Sequence, residues 1–177
     1  MDIAIAARTE AGKPVAGGDE TKAFPFPEKA ASWIERFQSG LETGQLDEAM
    51  RTGIAAVQCV DEFISHTAPF TLAKRVDDIA GARDALGAIL YACAEALRIA
   101  SLMLYPAMPE KMAQLWRLWN CSPLVSPDDC NSAFKAPLAE LAQWAHPVHG
   151  LRPGQKIAKG EALFMRADPK EPAPTKA

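Results

Sequence analysis

Phe70, Lys74 and Arg75 are the residues whose types and spacing most directly suggest chemistry. They close the stretch Asp61 to Arg75, where an apolar helical run gives way to Pro69, an aromatic and two adjacent cations. An aromatic face can stack a nucleic-acid base while neighbouring cations neutralise its phosphates, the usual grip on single strands. The competing arrangement is simple: Phe70 packs back on the core, and Lys74 and Arg75 are solvated.

Other constellations carry less. His146 and His149 stand three residues apart in His-Pro-Val-His-Gly, but with no carboxylate cluster nearby they make a poor metal site, and no metal ligand set is expected. Cys59, Cys93, Cys121 and Cys130 include no Cys-x-x-Cys pair and no histidine at ligand spacing. Cys59 and Cys93 fall in apolar helical stretches and read as small core residues; the other two read as free thiols. Asp128 and Asp129 share a loop without a partner, the pattern of solvated carboxylates rather than an acid and a base. Glycine-rich phosphate loops and a nucleophile elbow are absent, so no catalytic residue is assigned.

The whole chain bounds these options. With 177 residues, 49% hydrophobic and 23% charged, it has the composition of one folded domain with flexible ends. A formal net charge of -3 gives no global attraction to nucleic acid, so any RNA contact must come from a local patch. The N-terminus lacks a charged start followed by an apolar centre, and no apolar run is expected to reach the ~20 residues that span a bilayer. A cytoplasmic protein with no membrane contact is expected, and cysteines used as core residues suit its reducing setting.

The elements that must position Phe70 are helices. The expected class is all-α: residues 1–26 form a flexible N-terminal segment, 27–168 a helical bundle with a short extended C-terminal element, and 169–177 a disordered tail. A first helix starts at Pro27, with Ile34, Phe37 and Leu41 on its apolar stripe, and ends near Gly44. A second runs from Leu46 to Ser65 with Leu46, Met50, Ile54, Val57, Val60 and Ile64 on one face. Pro69 then turns the chain out and presents Phe70 just past a helix end.

The third helix is capped by Asp77 or Asp78 and runs to Leu104 through Ile79, Ala82, Leu86, Ile89, Cys93, Leu97 and Ala100. Leu90, Ala94, Ala96 and Met103 widen its apolar face, so it is expected to be central and buried on more than one side. A fourth, from Pro109, carries Met112, Leu115, Trp116 and Trp119 into the core. The segment from Asn120 to Asn131 reads as a polar loop. Phe134, Leu138, Leu141 and Ala145 suggest a last helix with Trp144 on its flank, and from Gly150 short apolar pairs between turn glycines suggest extended segments laid on the bundle.

Three fragments in order resemble the helical anticodon-binding domain of methionyl-tRNA synthetases, which are class I aminoacyl-tRNA synthetases. The first is Asp61 to Lys74, where the family ends a helix at Pro-Trp and continues to Lys. The second is Ala96 to Ile99 followed by Leu104-Tyr-Pro-Ala-Met-Pro-Glu110, similar to the family's Leu-x-Pro-x-x-Pro-Glu turn. The third comprises Gly154-Gln-Lys-Ile-Ala-Lys159 and Leu163-Phe-Met-Arg166, similar to Gly-x-x-Ile-x-Lys and Leu-Phe-x-Arg. The resemblance covers Pro27 to Asp168. Synthetases for leucine, isoleucine, valine and cysteine also carry helical anticodon domains, but the terminal Leu-Phe-x-Arg element points to methionine.

The resemblance implies a module for protein biosynthesis that binds the anticodon arm of tRNA. Phe70, after Pro69, takes the place of the aromatic that stacks on the first base of a CAU anticodon, with Lys74 and Arg75 beside it. Departures from the family qualify this. Phenylalanine offers less stacking surface than tryptophan and no N–H donor. The family's opening helix contributes Asn and Arg, whereas residues 1–27 contain no Asn and only Arg8.

The family's His-Ile-Gly-His and Lys-Met-Ser-Lys-Ser signatures have no counterpart: Val148 stands at the glycine position of His146 to His149, and Lys111-Met112 is followed by Ala113-Gln114. The resemblance therefore places ATP and methionine on a catalytic domain outside this chain, which itself is expected to hold no cofactor. Three roles follow: an anticodon-arm module from a fragmented or split synthetase, a partner supporting ligation with a separate catalytic domain, or a helical protein-interaction scaffold that has lost RNA binding.

Overall fold

The computed structural model describes residues 26–121 and 136–164. The described chain is all-α, with helices α1 (Phe26–Glu42), α2 (Leu46–Thr67), α3 (Pro69–Ala73), α4 (Ala82–Leu104), α5 (Pro109–Leu118) and α6 (Leu138–Leu141). Expectations for residues 1–25, 122–135 and 165–177, including those for Phe134, Asp128, Asp129, Cys130 and Arg166, lie outside the described residues.

Helix α1 opens one residue ahead of Pro27. Phe26, assigned by sequence to the N-terminal segment, is fully buried and meets Phe63 edge-on with centroids 4.9 Å apart and Trp144 in a stack at 6.2 Å. Burying such a ring contributes about 1.5–3 kcal/mol, which anchors this end of the helix. Ala30, Trp33, Ile34 and Phe37 continue the buried stripe at helical spacing. Leu41, expected on that stripe, is exposed.

Helices α1, α2 and α4 form the main packed layer, and α3 lies against α4. The face that α2 buries coincides only in part with the one its large residues suggest: of these Val60 is buried and Met50 and Ile64 pack against the core, but the rest of the stripe is made of small residues. Ala49, Thr52, Gly53, Ala56 and Val60 are inside, whereas Leu46 and Ile54 are 60% and 51% exposed and Val57 is also outside. Small residues win because they let helices approach: a Cβ added at Gly53 would lie 2.9 Å from Leu104 Cδ2. Dispersion summed over such close backbones replaces what bulky side chains would have supplied.

Helix α4 is the central element. It starts at Ala82, after Gly81 with φ 75°, and not at the acidic pair Asp77-Asp78. A left-handed turn favours glycine, and Asp77 instead makes an exposed ion pair with Arg83 at 3.1 Å. From Arg98 to Met103 every residue is buried, as a helix enclosed on several sides requires. Leu90 is the exception to its expected apolar face, being exposed. In length and composition α4 does reach the bilayer-spanning class, with a window of mean hydropathy 1.5, contrary to the sequence expectation; 61% of that window is buried inside the bundle. Its apolarity is that of a core helix.

Two charges sit at the heart of this helix. Glu95 and Arg98 are both completely buried and pair bidentately, Arg98 Nε donating to Glu95 Oε2 at 2.9 Å and Nη2 to Oε1 at 2.8 Å. Arg98 also donates to the carbonyls of Leu141 (2.6 Å) and Gln143 (3.3 Å), and Glu95 accepts the amides of Ala145 (3.1 Å) and Leu151 (2.9 Å). The pair thereby ties residues 141–151 to the core, satisfying its own polar atoms and the backbone's together.

Helix α5 packs through Met112 and Trp116, with Trp116 Nε1 donating to Ser101 Oγ at 2.7 Å and its ring stacked on Tyr105 at 5.2 Å. The expected last helix shrinks to the four residues of α6, since Ala142 to Gly150 turn to meet Glu95 and Arg98 instead of continuing. Residues 151–164 contain turns and no strand; the extended pieces expected there are an irregular segment held by hydrogen bonds to the end of α5.

Candidate nucleic-acid interface

The corner between α2 and α3 is built by its backbone. Thr67 ends α2 with its Oγ1 donating to Phe63 O at 2.8 Å, and Ala68 takes the left-handed conformation (φ 44°, ψ 53°) while its amide donates to Ile64 O at 2.9 Å. A left-handed conformation costs a residue with a Cβ roughly 1–2 kcal/mol, so the surrounding contacts hold it there. Pro69 then occupies the first position of α3, where a missing N–H costs nothing, and is buried. The amides of Thr71 and Leu72 both donate to Ala68 O, at 2.9 and 3.2 Å.

These constraints put Phe70 on a one-turn helix rather than on a loop, and leave it 75% exposed. Leu72, two residues on, packs against the core and anchors the turn. Lys74 is exposed and Arg75 half-buried, in the turns that follow α3. The four site residues thus occupy one corner: Pro69 as its buried pivot, Phe70 as a free aromatic face, Lys74 and Arg75 as adjacent charges. Among the described residues neither cation makes an ion pair.

Other expected and unexpected groups lie elsewhere. His146 and His149 stack on each other at 4.8 Å, with His146 Nδ1 accepting the amides of Val148 and His149 and His149 Nε2 lying 3.4 Å from Glu140. Both rings serve the turn that follows α6. Among the described residues no three His, Cys, Asp or Glu side chains are grouped to hold a metal ion. Burial pushes the Cys93 and Cys121 thiols up to about 11, which makes them poor nucleophiles at neutral pH. A groove of about 720 Å³ between α1 and α6 is lined by Ala30, Ala31, Ile34 and Trp144, with Glu35 and Glu42 as its ionisable groups. Sequence reasoning passed over Glu95 and Arg98, although opposite charges three residues apart inside an apolar helix were a visible signal.

Among the described residues the fold is all-α, and its α2–α3 corner exposes the aromatic Phe70, followed four and five residues later by an exposed Lys74 and a half-buried Arg75. No family model matches the chain and no solved structure does so significantly, but several curated proteins do. Methionine–tRNA ligase of Streptomyces coelicolor is 30% identical over 117 residues, 66% of this chain and 20% of that protein. The Clostridium tetani enzyme is 25% identical over 136 residues, 76% of this chain and 18% of the enzyme. That of Pyrobaculum aerophilum is 28% identical over 107 residues, 60% and 17% of the two chains. The chain is similar to methionyl-tRNA synthetases, and it spans about a fifth of the length of those it matches.

Proposed function

We propose that this chain is a tRNA anticodon-arm binding domain of the methionyl-tRNA synthetase type, working in the cytoplasm in support of methionine-tRNA aminoacylation. The observation that carries the reading is the exposure of Phe70 on a short helix whose backbone is fixed on both sides. A large apolar ring held out in water wins nothing by folding, and an immobilised ring face is what a splayed base can stack on without further loss of entropy.

Function then follows by distal positioning. Phe70 stacks an anticodon base, Lys74 and Arg75 neutralise the flanking phosphates, and Pro69 keeps the corner from flexing. Chemistry on the amino acid and ATP falls to a catalytic domain that the matched enzymes carry elsewhere in their length, either joined to this chain or supplied separately. Stacking contributes roughly 1–3 kcal/mol per base, so Phe70→Ala is expected to weaken binding of a CAU anticodon stem-loop by about 5- to 150-fold at low salt. Phe70→Trp is expected to tighten it. Equal affinity of wild type and Phe70→Ala for the stem-loop, measured by fluorescence anisotropy, would remove the stacking role.

A second reading has one observation in its favour. Leu46, Ile54 and Val57 expose a line of aliphatic side chains along α2, a surface suited to protein contacts. On that reading the domain is a helical scaffold that has lost RNA binding, and the stem-loop titration shows no binding at any salt.

A further inference from the structure

The C-terminal segment and α5 share a second cationic face, remote in sequence from Phe70. Residues 152–164 run back along α5. Gln155 Nε2 donates to the carbonyls of Trp119 and Asn120, Asn120 Nδ2 donates to Lys156 O at 2.8 Å, and the Ala158 amide donates to Leu118 O at 2.7 Å. Gly160 lets the segment lie close, since a Cβ there would come within 2.6 Å of Leu118. At its far end Lys111 Nζ stands 6.0 Å from the centre of the exposed Phe164 ring.

This docking collects charge that is scattered in sequence. Arg117 from α5 and Arg152, Lys156 and Lys159 from the segment are all exposed, and Lys111 is half-buried beside them. Against these five cations the same two stretches carry two carboxylates, Glu110 and Glu161, while the rest of the described chain is net acidic. None of the five is engaged in an ion pair among the described residues. On a fold with a formal net charge of -3, five unpaired cations against two carboxylates make these two stretches locally positive.

We propose that this strip is a second RNA contact, taking the sugar-phosphate backbone of a tRNA outside its anticodon stem-loop. The inference rests on the reading of the chain as a tRNA-binding domain. Backbone rather than bases is the ligand because the groups are cations spread along α5 and an irregular segment, which neutralise phosphates without reading sequence. Phe164, partnered by Lys111, adds an apolar surface at the end of the strip.

The test compares a full-length methionine tRNA with its isolated anticodon stem-loop, using wild type, Arg152→Ala/Lys156→Ala/Lys159→Ala and Lys156→Arg/Lys159→Arg. These side chains hydrogen-bond to nothing among the described residues, so the fold, checked by circular dichroism, is expected to persist. The alanine variant is expected to bind full-length tRNA roughly tenfold more weakly, with the slope of log K against log salt reduced by about 3, one for each phosphate that is no longer neutralised. Its affinity for the stem-loop stays unchanged, and the arginine variant behaves as wild type. Unchanged tRNA affinity and slope overturn the proposal, as does an equal loss for both RNAs, which would make the strip part of the Phe70 interface. If wild type ignores the stem-loop while tRNA binding still depends on the strip, the Phe70 reading fails and this one stands.

Discussion

Glu95 and Arg98 show what a single side chain does in this fold. Desolvating two charges is expensive, and the expense is offset only because every polar atom of the pair meets a partner: Arg98 donates to Glu95 and two carbonyls, and Glu95 accepts from Arg98 and two amides. Removing one member strands the other in the core. Arg98→Met is therefore expected to destabilise by about 3–5 kcal/mol, read as a lowered urea midpoint with unchanged m. Glu95→Gln keeps the shape but leaves the Arg98 charge unpaired and turns an amide NH2 toward two donors, so a comparable cost is expected. Sequence alone shows the i, i+3 spacing of the pair but not its partners. Those are backbone groups 43 to 56 residues away, and nothing in side-chain type encodes where a backbone carbonyl will turn.

Among the elements, α2 separates composition from packing. Its large aliphatic residues follow helical spacing, which makes the helix legible, yet only Val60 of them is fully buried, with Met50 and Ile64 at the edge of the core, and the rest of the buried stripe is Ala49, Thr52, Gly53 and Ala56. Periodicity reports that one face is apolar; with two apolar faces available, interhelical distance decides which one is used. Gly53→Leu is expected to cost about 1–3 kcal/mol by overpacking against Leu104 and Met103, whereas Ile54→Gln is expected to change stability by less than about 0.5 kcal/mol. Thermal melts of the two variants distinguish this register from the one read off the large residues, which would invert the order. Helices α4 and α5 were more legible: Ile89, Cys93, Ala100, Met112 and Trp116 of their expected faces are buried, although Leu90 is exposed and Leu115 and Trp119 lie outside the buried core. The Phe70 corner was legible as a proline break, but its left-handed Ala68 was not, because alanine carries no signal for that conformation.

For the molecule as a whole, the distribution of ionisable groups matters more than their total. Burial raises the Cys93 and Cys121 thiols from an ordinary value of 9.0 to about 11, so the folded state holds these protons longer than the unfolded chain does. Unfolding releases them once the pH exceeds the ordinary value, and stability is lost as pH rises from about 9 toward 11. The expected outcome is a melting temperature that declines over that window and declines less in Cys93→Ala/Cys121→Ala. Tyr91, raised chiefly by desolvation and then by Glu95, adds loss of the same sign at higher pH. Cysteine burial on α4 was readable from its apolar neighbours. The cationic strip was not, since the segment that carries Arg152, Lys156 and Lys159 is brought to the end of α5 only by hydrogen bonds between Asn120, Gln155 and the backbone.

The same buried pair that ties α4 to residues 141–151 also sets an order of events during synthesis. A ribosome delivers α1, α2 and α4 long before Leu151, so the emerging chain holds Glu95 and Arg98 without the backbone partners that complete them. Until then the nascent bundle has either a wet centre or an open one. The surroundings of Glu95 and Arg98 close only when residues 141–151 have been translated, and a stop codon placed just after Trp119 would release a chain with three long helices and no finished interior.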